Sequence, residues 1–303
     1  MLRTWCGKFQ STGEPDFWIE IELEQGRTVA ELQRVMPQLR LSARDGYFRS
    51  HPSLLEGEVS WAERRLRFRA ERVLFHPEIQ PRFLNVLFSS IYNTVCESRN
   101  GDGREAFLFH GCGVSARGRG YLFTGPSGAG KTTVAMLAAE RAVLNDEAVL
   151  LKMQDGEVWM GGTPLLGGIN RRMATWVPLQ TILVLQHGQD VELRPLGNGE
   201  AYSRFLSQLF APTPIIEVRP PLNSPREQGG VAPALPVIGT RKRFLEQQAD
   251  FAAAVINRVR AYELHFRPDG SFWPYVEALS HCNPRRVRAE GGCNRGCKGW
   301  TYL

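Results

Sequence analysis

Residues 125–132 read Gly-Pro-Ser-Gly-Ala-Gly-Lys-Thr, a complete G-x-x-x-x-G-K-[ST] pattern of the Walker A, or P-loop, kind. The chemistry open to that spacing is narrow. Glycines let successive backbone N–H groups curl around a phosphate without Cβ clashes, and a following helix N-terminus adds partial positive charge. Gly125, Pro126, Ser127, Gly128, Ala129, Gly130, Lys131, Thr132 and Thr133 are therefore the expected nucleotide-binding residues. Lys131 would reach the β- and γ-phosphates, and the Thr132 hydroxyl would complete a Mg2+ shell. A decayed loop kept as a structural turn is the bland alternative.

Two further groups stand at suggestive distances. Asp146 follows Lys131 by fifteen residues at the end of the short apolar run Ala142-Val143-Leu144, with Glu147 next to it. If that run is a strand parallel to the one before the loop, its carboxyl end comes to lie beside the phosphates. A carboxylate there can bind Mg2+ or accept the proton of an attacking hydroxyl, and Glu147 is the natural second ligand or pKa modulator. Otherwise the pair is an acidic turn opening a hairpin. His110 ends an apolar run fifteen residues ahead of Gly125; on spacing alone it reads as a satisfied strand-end residue before a catalytic one. Arg171 and Arg172 can clamp phosphate oxygens or simply solvate a loop, and the second use is the commoner.

The elements that must position these groups are visible in the pattern of apolar residues. Tyr121-Leu122-Phe123-Thr124 predicts a buried strand running into the loop, and Thr133 to Glu140 begins a helix. Ala106 to His110 predicts the strand before it, with a turn at Arg117-Gly118-Arg119-Gly120 between. Ala148 to Met153 and Glu157 to Met160 flank Gln154-Asp155-Gly156, a hairpin signal because Asp-Gly suits positive φ. Thr181 to Leu185 and Ala261 to Phe266 predict buried strands, and Arg243 to Arg260 an amphipathic helix. Upstream, Phe17 to Leu23 predicts a strand, Glu58 to Trp61 with Arg65 to Ala70 a hairpin, and Gln80 to Cys96 a helix. Ser98 to Arg104 reads as a linker and Pro212 to Pro236 as a long surface segment.

The chain has 303 residues, 43% hydrophobic and 22% charged, an ordinary globular composition. Its net charge of +6 loses its nucleic-acid flavour once located. Arg285, Arg286, Arg288, Arg295 and Lys298 against Glu290 place +4 of it in 281–303, and no basic stripe with interleaved aromatics marks the rest. That segment is expected to be a disordered basic terminus; its Cys282, Cys293 and Cys297 fit no tidy zinc spacing. The start carries no signal-peptide h-region, and the longest apolar stretch, Phe83 to Val95, is interrupted and too short for a bilayer. A soluble cytoplasmic protein with six free thiols, and with neither nucleic acid nor membrane as partner, is the expectation.

With His110-Gly111, the loop and Leu144-Asn145-Asp146-Glu147 in hand, residues 105–280 resemble the C-terminal kinase domain of HPr kinase/phosphorylase, whose fold is shared with PEP carboxykinase. The resemblance implies an α/β fold, a mixed β-sheet P-loop kinase domain. It implies ATP phosphates on the loop, a histidine near the transferred phosphate, and an acidic pair supplying a base and a metal-associated carboxylate. Those roles fall on His110, Asp146 and Glu147, with Lys131 as the phosphate-holding catalytic lysine. Two departures stand out. The family's second acid is usually aspartate, and its downstream Glu-x-Arg-Gly segment is not found; Leu165 to Arg172 does not supply it. Val177-Pro178-Leu179-Gln180 and Tyr262 to Arg267 look more like shorter HPr-kinase-related proteins near peptide-modification gene cassettes, of the SynChlorMet cassette kinase-like type. A hexameric family also implies a homo-oligomer.

The expected organisation is a β-rich N-terminal region over 1–104, the ATP-binding domain over 105–280 and the basic tail over 281–303. The expected activity is ATP- and Mg2+-dependent transfer of the γ-phosphoryl group to a hydroxyl, a serine of a peptide or small protein. The rivals are a general P-loop ATPase, a nucleoside monophosphate kinase, and a non-catalytic ATP-binding module in a peptide-modification system. Against the first, Ile182 to Leu185 ends in Gln186-His187 with no acid at its tip.

Overall fold

The computed structural model describes residues 18–35, 40–44, 47–51, 53–98, 106–169, 171–210 and 237–279. The expected linker over most of 98–104, the Pro212–Pro236 segment and the basic tail lie outside them. The described chain is mixed α/β with two sheets, the first over one apolar core and the second over two.

The first sheet has five strands in the order β1-β5-β4-β3-β2: β1 (Trp18–Glu24), β2 (Arg40–Arg44), β3 (Tyr47–His51), β4 (Leu55–Ser60) and β5 (Arg65–Glu71). The expected β4–β5 hairpin pairs Val59 with Leu66, while β1 joins β5 in parallel. Alternation does the sorting: Leu66, Phe68 and Ala70 point into the core and the arginines between them point out. A capping box starts α1 (Val29–Val35): the Thr28 amide donates to the Glu31 carboxylate at 2.8 Å, and the Glu31 amide donates back to the Thr28 hydroxyl at 3.4 Å. The long helix α2 (Gln80–Ser98) buries Phe83, Leu84, Leu87 and Ile91 against the sheet. Asn85, Phe88 and Tyr92, spaced i, i+3, i+7, form a second face that looks toward the rest of the molecule.

The second sheet has nine strands: β6 (Phe107–His110), β7 (Cys112–Ala116), β8 (Arg119–Thr124), β9 (Ala142–Asn145), β10 (Ala148–Gln154), β11 (Glu157–Gly162), β12 (Trp176–His187), β13 (Glu192–Pro195) and β14 (Arg260–Phe266). The long β12 holds it together. Its first residues pair with β11, its later ones run parallel to β14, and its other edge runs parallel to β8. One arm continues β11-β10-β6; the other continues β8-β7-β9. Both turns expected from Gly-containing pairs form with left-handed residues, Arg117-Gly118 at φ 51° and 73° and Asp155-Gly156 at φ 52° and 77°.

The order of the second arm corrects the simplest expectation. β9 runs in the same direction as β8, but the antiparallel β7 lies between them. Asp146 therefore approaches the 125–132 loop across Cys112 and Gly113. The helix after the loop, α3 (Lys131–Met136), is also shorter than its composition suggests, six residues ending before Leu137. The helices α4 (Asn198–Leu206) and α5 (Val237–Ile256) cover the first arm through Phe205, Phe244, Phe251 and Val255. α6 (Trp273–Ala278) packs Trp273 and Val276, with Phe272, on the second arm beside α3.

Candidate functional site

The two arms of the second sheet exchange chain at two places. Between β6 and β7 the crossing residue is Gly111; between β9 and β10 it is the pair Asp146-Glu147. The two crossings touch, because the Gly111 amide donates to the Glu147 carbonyl at 3.1 Å. The Thr124 hydroxyl, at the end of β8, donates to the His110 carbonyl at 3.3 Å. His110, Asp146 and Glu147 thus converge on the seam where β8 delivers the loop, although 22 residues separate Gly168 from the carboxylate it will meet there.

The loop is held from beneath by an aromatic layer. Gly130 sits at φ 103°, and a Cβ on it would come within 2.8 Å of the Phe266 ring, so both conformation and space require glycine. Phe266 in turn meets Phe272 edge-on at 5.1 Å. Pro126, Ser127 and Gly128 are exposed at the tip, whereas Lys131 is buried. The Lys131 ammonium folds back on the loop, donating to the Gly125 carbonyl at 2.8 Å and the Pro126 carbonyl at 3.1 Å. Burial lowers its pKa, with Glu147 opposing. At six residues α3 adds little dipole, so loop amides and Lys131 hold most of whatever positive potential the site presents.

Asp146 is buried, 1% exposed. Its Oδ2 accepts the Gly168 amide at 2.9 Å. Its Oδ1 has no hydrogen-bond partner among the described residues, a costly state for a buried carboxylate oxygen unless something binds it. Gly167 and Gly168 close over it: a Cβ on Gly167 would lie 1.9 Å from Oδ1. A Cβ on Gly168 would lie 3.1 Å from the Thr132 hydroxyl oxygen and 3.4 Å from Asp146 Oδ2, so that hydroxyl and the carboxylate flank one small space. Asn145 sets the crossing. Fully buried, it donates to the Thr163 and Leu165 carbonyls at 3.0 and 2.7 Å, and its Oδ1 accepts the Glu147 and Ala148 amides at 2.7 and 3.1 Å.

Burial raises the pKa of Glu147; Lys131 opposes the rise and Asp146 adds to it. Burial and then the Lys131 charge lower the pKa of His110, so its neutral form is favoured. The His110 Nδ1 faces Gln208 Oε1 at 3.2 Å, and the Gln208 Nε2 donates to the Ser207 hydroxyl at 3.3 Å. With the Gln208 amide in this orientation its oxygen accepts from Nδ1, which leaves the lone pair on Nε2. Cys112, fully buried beside Asp146 and Lys131, has its thiol pKa pushed up by burial and by the carboxylate, which keeps it an inert thiol.

The structure gathers His110, Lys131, Thr132, Asp146 and Glu147, and leaves the arginines out. Arg171 donates to the carbonyls of Ala135, Ala139 and Arg141 and so caps the far end of α3. Arg172 donates to the Pro164 carbonyl at 2.6 Å. Sequence reasoning missed Gln208, the Gly167-Gly168 turn and His187, whose Nε2 lies 3.0 Å from the Gly128 carbonyl at the loop tip. The paired glycines were the one local signal of a close approach.

Among the described residues no group of three or more His, Cys, Asp or Glu is arranged to hold a metal. Mg2+ does not ask for one, since it commonly takes one or two carboxylates and completes its shell with phosphate oxygens and water. The Asp146 carboxylate, whose Oδ2 shares the space over Gly168 with the Thr132 hydroxyl, fits that habit. Among the described residues no helix is long and apolar enough to cross a membrane.

No family model matches the chain, and no curated protein matches it. A solved structure to which it is similar is that of the HPr(Ser) kinase/phosphatase from Coxiella burnetii, at 13% identity over 29% of this chain and 76% of that one, with a TM-score of 0.24. A likeness at that level carries no argument, and the functional reading rests on the geometry of the site.

Proposed function

We propose that the chain is an ATP- and Mg2+-dependent phosphotransferase of the HPr kinase-like P-loop type, transferring the γ-phosphoryl group to a hydroxyl, a serine of a peptide or small protein. The observation that carries this is Asp146, a buried carboxylate with one oxygen fixed by the Gly168 amide and the other without a hydrogen-bond partner among the described residues, set beside Thr132 and the Lys131 loop. A pure phosphate-binding turn has no use for such a group. A transferase does, because the acceptor hydroxyl must lose its proton as the new bond forms.

In this reading the loop amides and Lys131 hold the β- and γ-phosphates, Lys131 leaving the Gly125 and Pro126 carbonyls to do so. The Thr132 hydroxyl, with Asp146 or Glu147, would hold Mg2+, which when bound would neutralise charge on those phosphates. Asp146 takes the proton of the serine hydroxyl as its oxygen bonds to the γ-phosphorus, and the bond to the β-phosphate oxygen breaks to release ADP. The neutral His110 adds no cation where Lys131 already stands.

The test is purified protein with Mg2+ and γ-labelled ATP, offered in parallel water alone, free serine, and serine-containing peptides. Label on a serine hydroxyl supports the proposal. ATP bound with neither transfer nor hydrolysis assigns the chain to the non-catalytic binding modules instead, and release to water alone makes it an ATPase.

A further inference from the structure

Asp146 owes its place to a turn that is itself gripped from two sides. The segment 163–168 leaves β11, passes over the carboxylate and presents the Gly168 amide to it. From the sheet side, Asn145 holds the carbonyls of Thr163 and Leu165. From the other side the grip comes from α2, which belongs to the five-stranded sheet. Asn85 donates its Nδ2 to the Leu166 carbonyl at 2.6 Å and accepts the Leu166 amide on its Oδ1 at 2.8 Å. One primary amide thus satisfies both backbone groups of one residue across 81 positions of chain. Such a two-bonded pair fixes orientation as well as distance.

The side chains repeat the division. Leu166 packs on the core under the five-stranded sheet, with Leu84, Leu87 and Phe83. Leu165, its neighbour, packs with Leu108 and Ala148 on the seam, where Phe88 and Tyr92 of α2 join it. Two residues later come Gly167, which has no room for a Cβ beside Asp146, and Gly168, which has none beside Thr132. A shift of α2 therefore moves Leu166, and through it the amide that fixes Asp146.

We propose that Asn85 is a positioning residue for Asp146, and that through it the region of residues 18–98 sets the rate of phosphoryl transfer without taking part in nucleotide binding. Its effect on rate rests on the phosphotransferase reading above; its effect on the 163–168 turn does not. Asn85 is remote from the loop in all its hydrogen bonds, so its loss spares the residues proposed to hold ATP.

The experiment uses the full chain carrying Asn85→Ala and Asn85→Asp. Asp keeps an acceptor for the Leu166 amide and loses the donor to its carbonyl. Three quantities are read: amide hydrogen exchange over 163–169 and over 125–136, affinity for the magnesium complex of a β,γ-imido ATP analogue, and turnover with γ-labelled ATP. The expected result is exchange over 163–169 faster by about tenfold or more in Asn85→Ala and by less in Asn85→Asp. Exchange over 125–136 stays unchanged, and analogue affinity stays within about twofold. Turnover falls roughly 10- to 100-fold, in the order Asn, Asp, Ala, the scale of an ångström misplacement of a reacting group. Unchanged exchange over 163–169 overturns the proposal, as does unchanged turnover once that segment has loosened. Loosening of both segments together also overturns it, since Asn85 would then serve general stability. The expected exchange pattern in a protein with no turnover at all upholds the pinning and sinks phosphoryl transfer.

Discussion

The site concentrates unlike charges around two buried groups, and each is informative by what it lacks. Among the described residues Asp146 Oδ1 has no hydrogen-bond partner, and the Lys131 ammonium donates to the carbonyls of its own loop. Lys131→Ala removes the positive charge expected at the transferred phosphate; turnover with γ-labelled ATP should drop by about 100-fold or more while the protein stays folded, and near-normal turnover would contradict the assignment. His110 yields a pH prediction. Burial and Lys131 hold its folded pKa below the ordinary 6.5. A depressed value means that its contribution to stability is complete above that pH and is lost as pH falls through the folded pKa. Between about pH 8 and about pH 5.5 the urea midpoint of the native chain should therefore fall further than that of His110→Gln. Equal falls in the two proteins would show that the imidazole is not held neutral.

Among the elements, those with short-range causes were legible and those with long-range causes were not. The loop, the strand before it, the Asp155-Gly156 and Arg117-Gly118 turns and the α2 period are written in neighbouring residues, and each forms where those residues place it. The insertion of β7 between β8 and β9 is a matter of strand order, to which local alternation is blind. Gln208 meets His110 across 98 residues and Asn85 meets Leu166 across 81, so neither partnership leaves a local trace. The convergence of Lys131, Asp146 and Glu147 was inferred from motif spacing and that of His110 from the family resemblance alone; the turn that fixes Asp146 was not inferred. That turn can be tested as an element. Gly167→Ala places a methyl where Asp146 Oδ1 now lies, at 1.9 Å, on backbone that alanine can adopt. The carboxylate must rotate away, and turnover should fall by roughly 100-fold with analogue binding retained. Preserved turnover would mean that Asp146 does not need its present orientation.

At the scale of the whole molecule, two sheets with separate cores meet through α2 and the 163–168 turn. The five-stranded sheet thereby supports a residue of the other sheet's seam, which gives residues 18–98 a mechanical task. Leu84, fully buried in that core, is far in sequence from every site residue. Leu84→Ala should cost about 2–5 kcal/mol, read as a lowered urea midpoint. It should also speed amide exchange over 163–169 before exchange over 125–136, because the turn hangs on the destabilised core. Equal loosening of both segments would show a single cooperative unit with no preferred route to Asp146.

The most direct test of the central claim is a single-turnover comparison of the native chain with Asp146→Asn, using γ-labelled ATP and a serine-bearing acceptor. Asparagine keeps an oxygen for the Gly168 amide and loses the charge and the proton-accepting oxygen. Binding of the nucleotide alone should persist within about threefold, and the transfer step should slow by about 1,000-fold or more. Transfer at an undiminished rate in Asp146→Asn would remove the base from the site and the proposed mechanism with it.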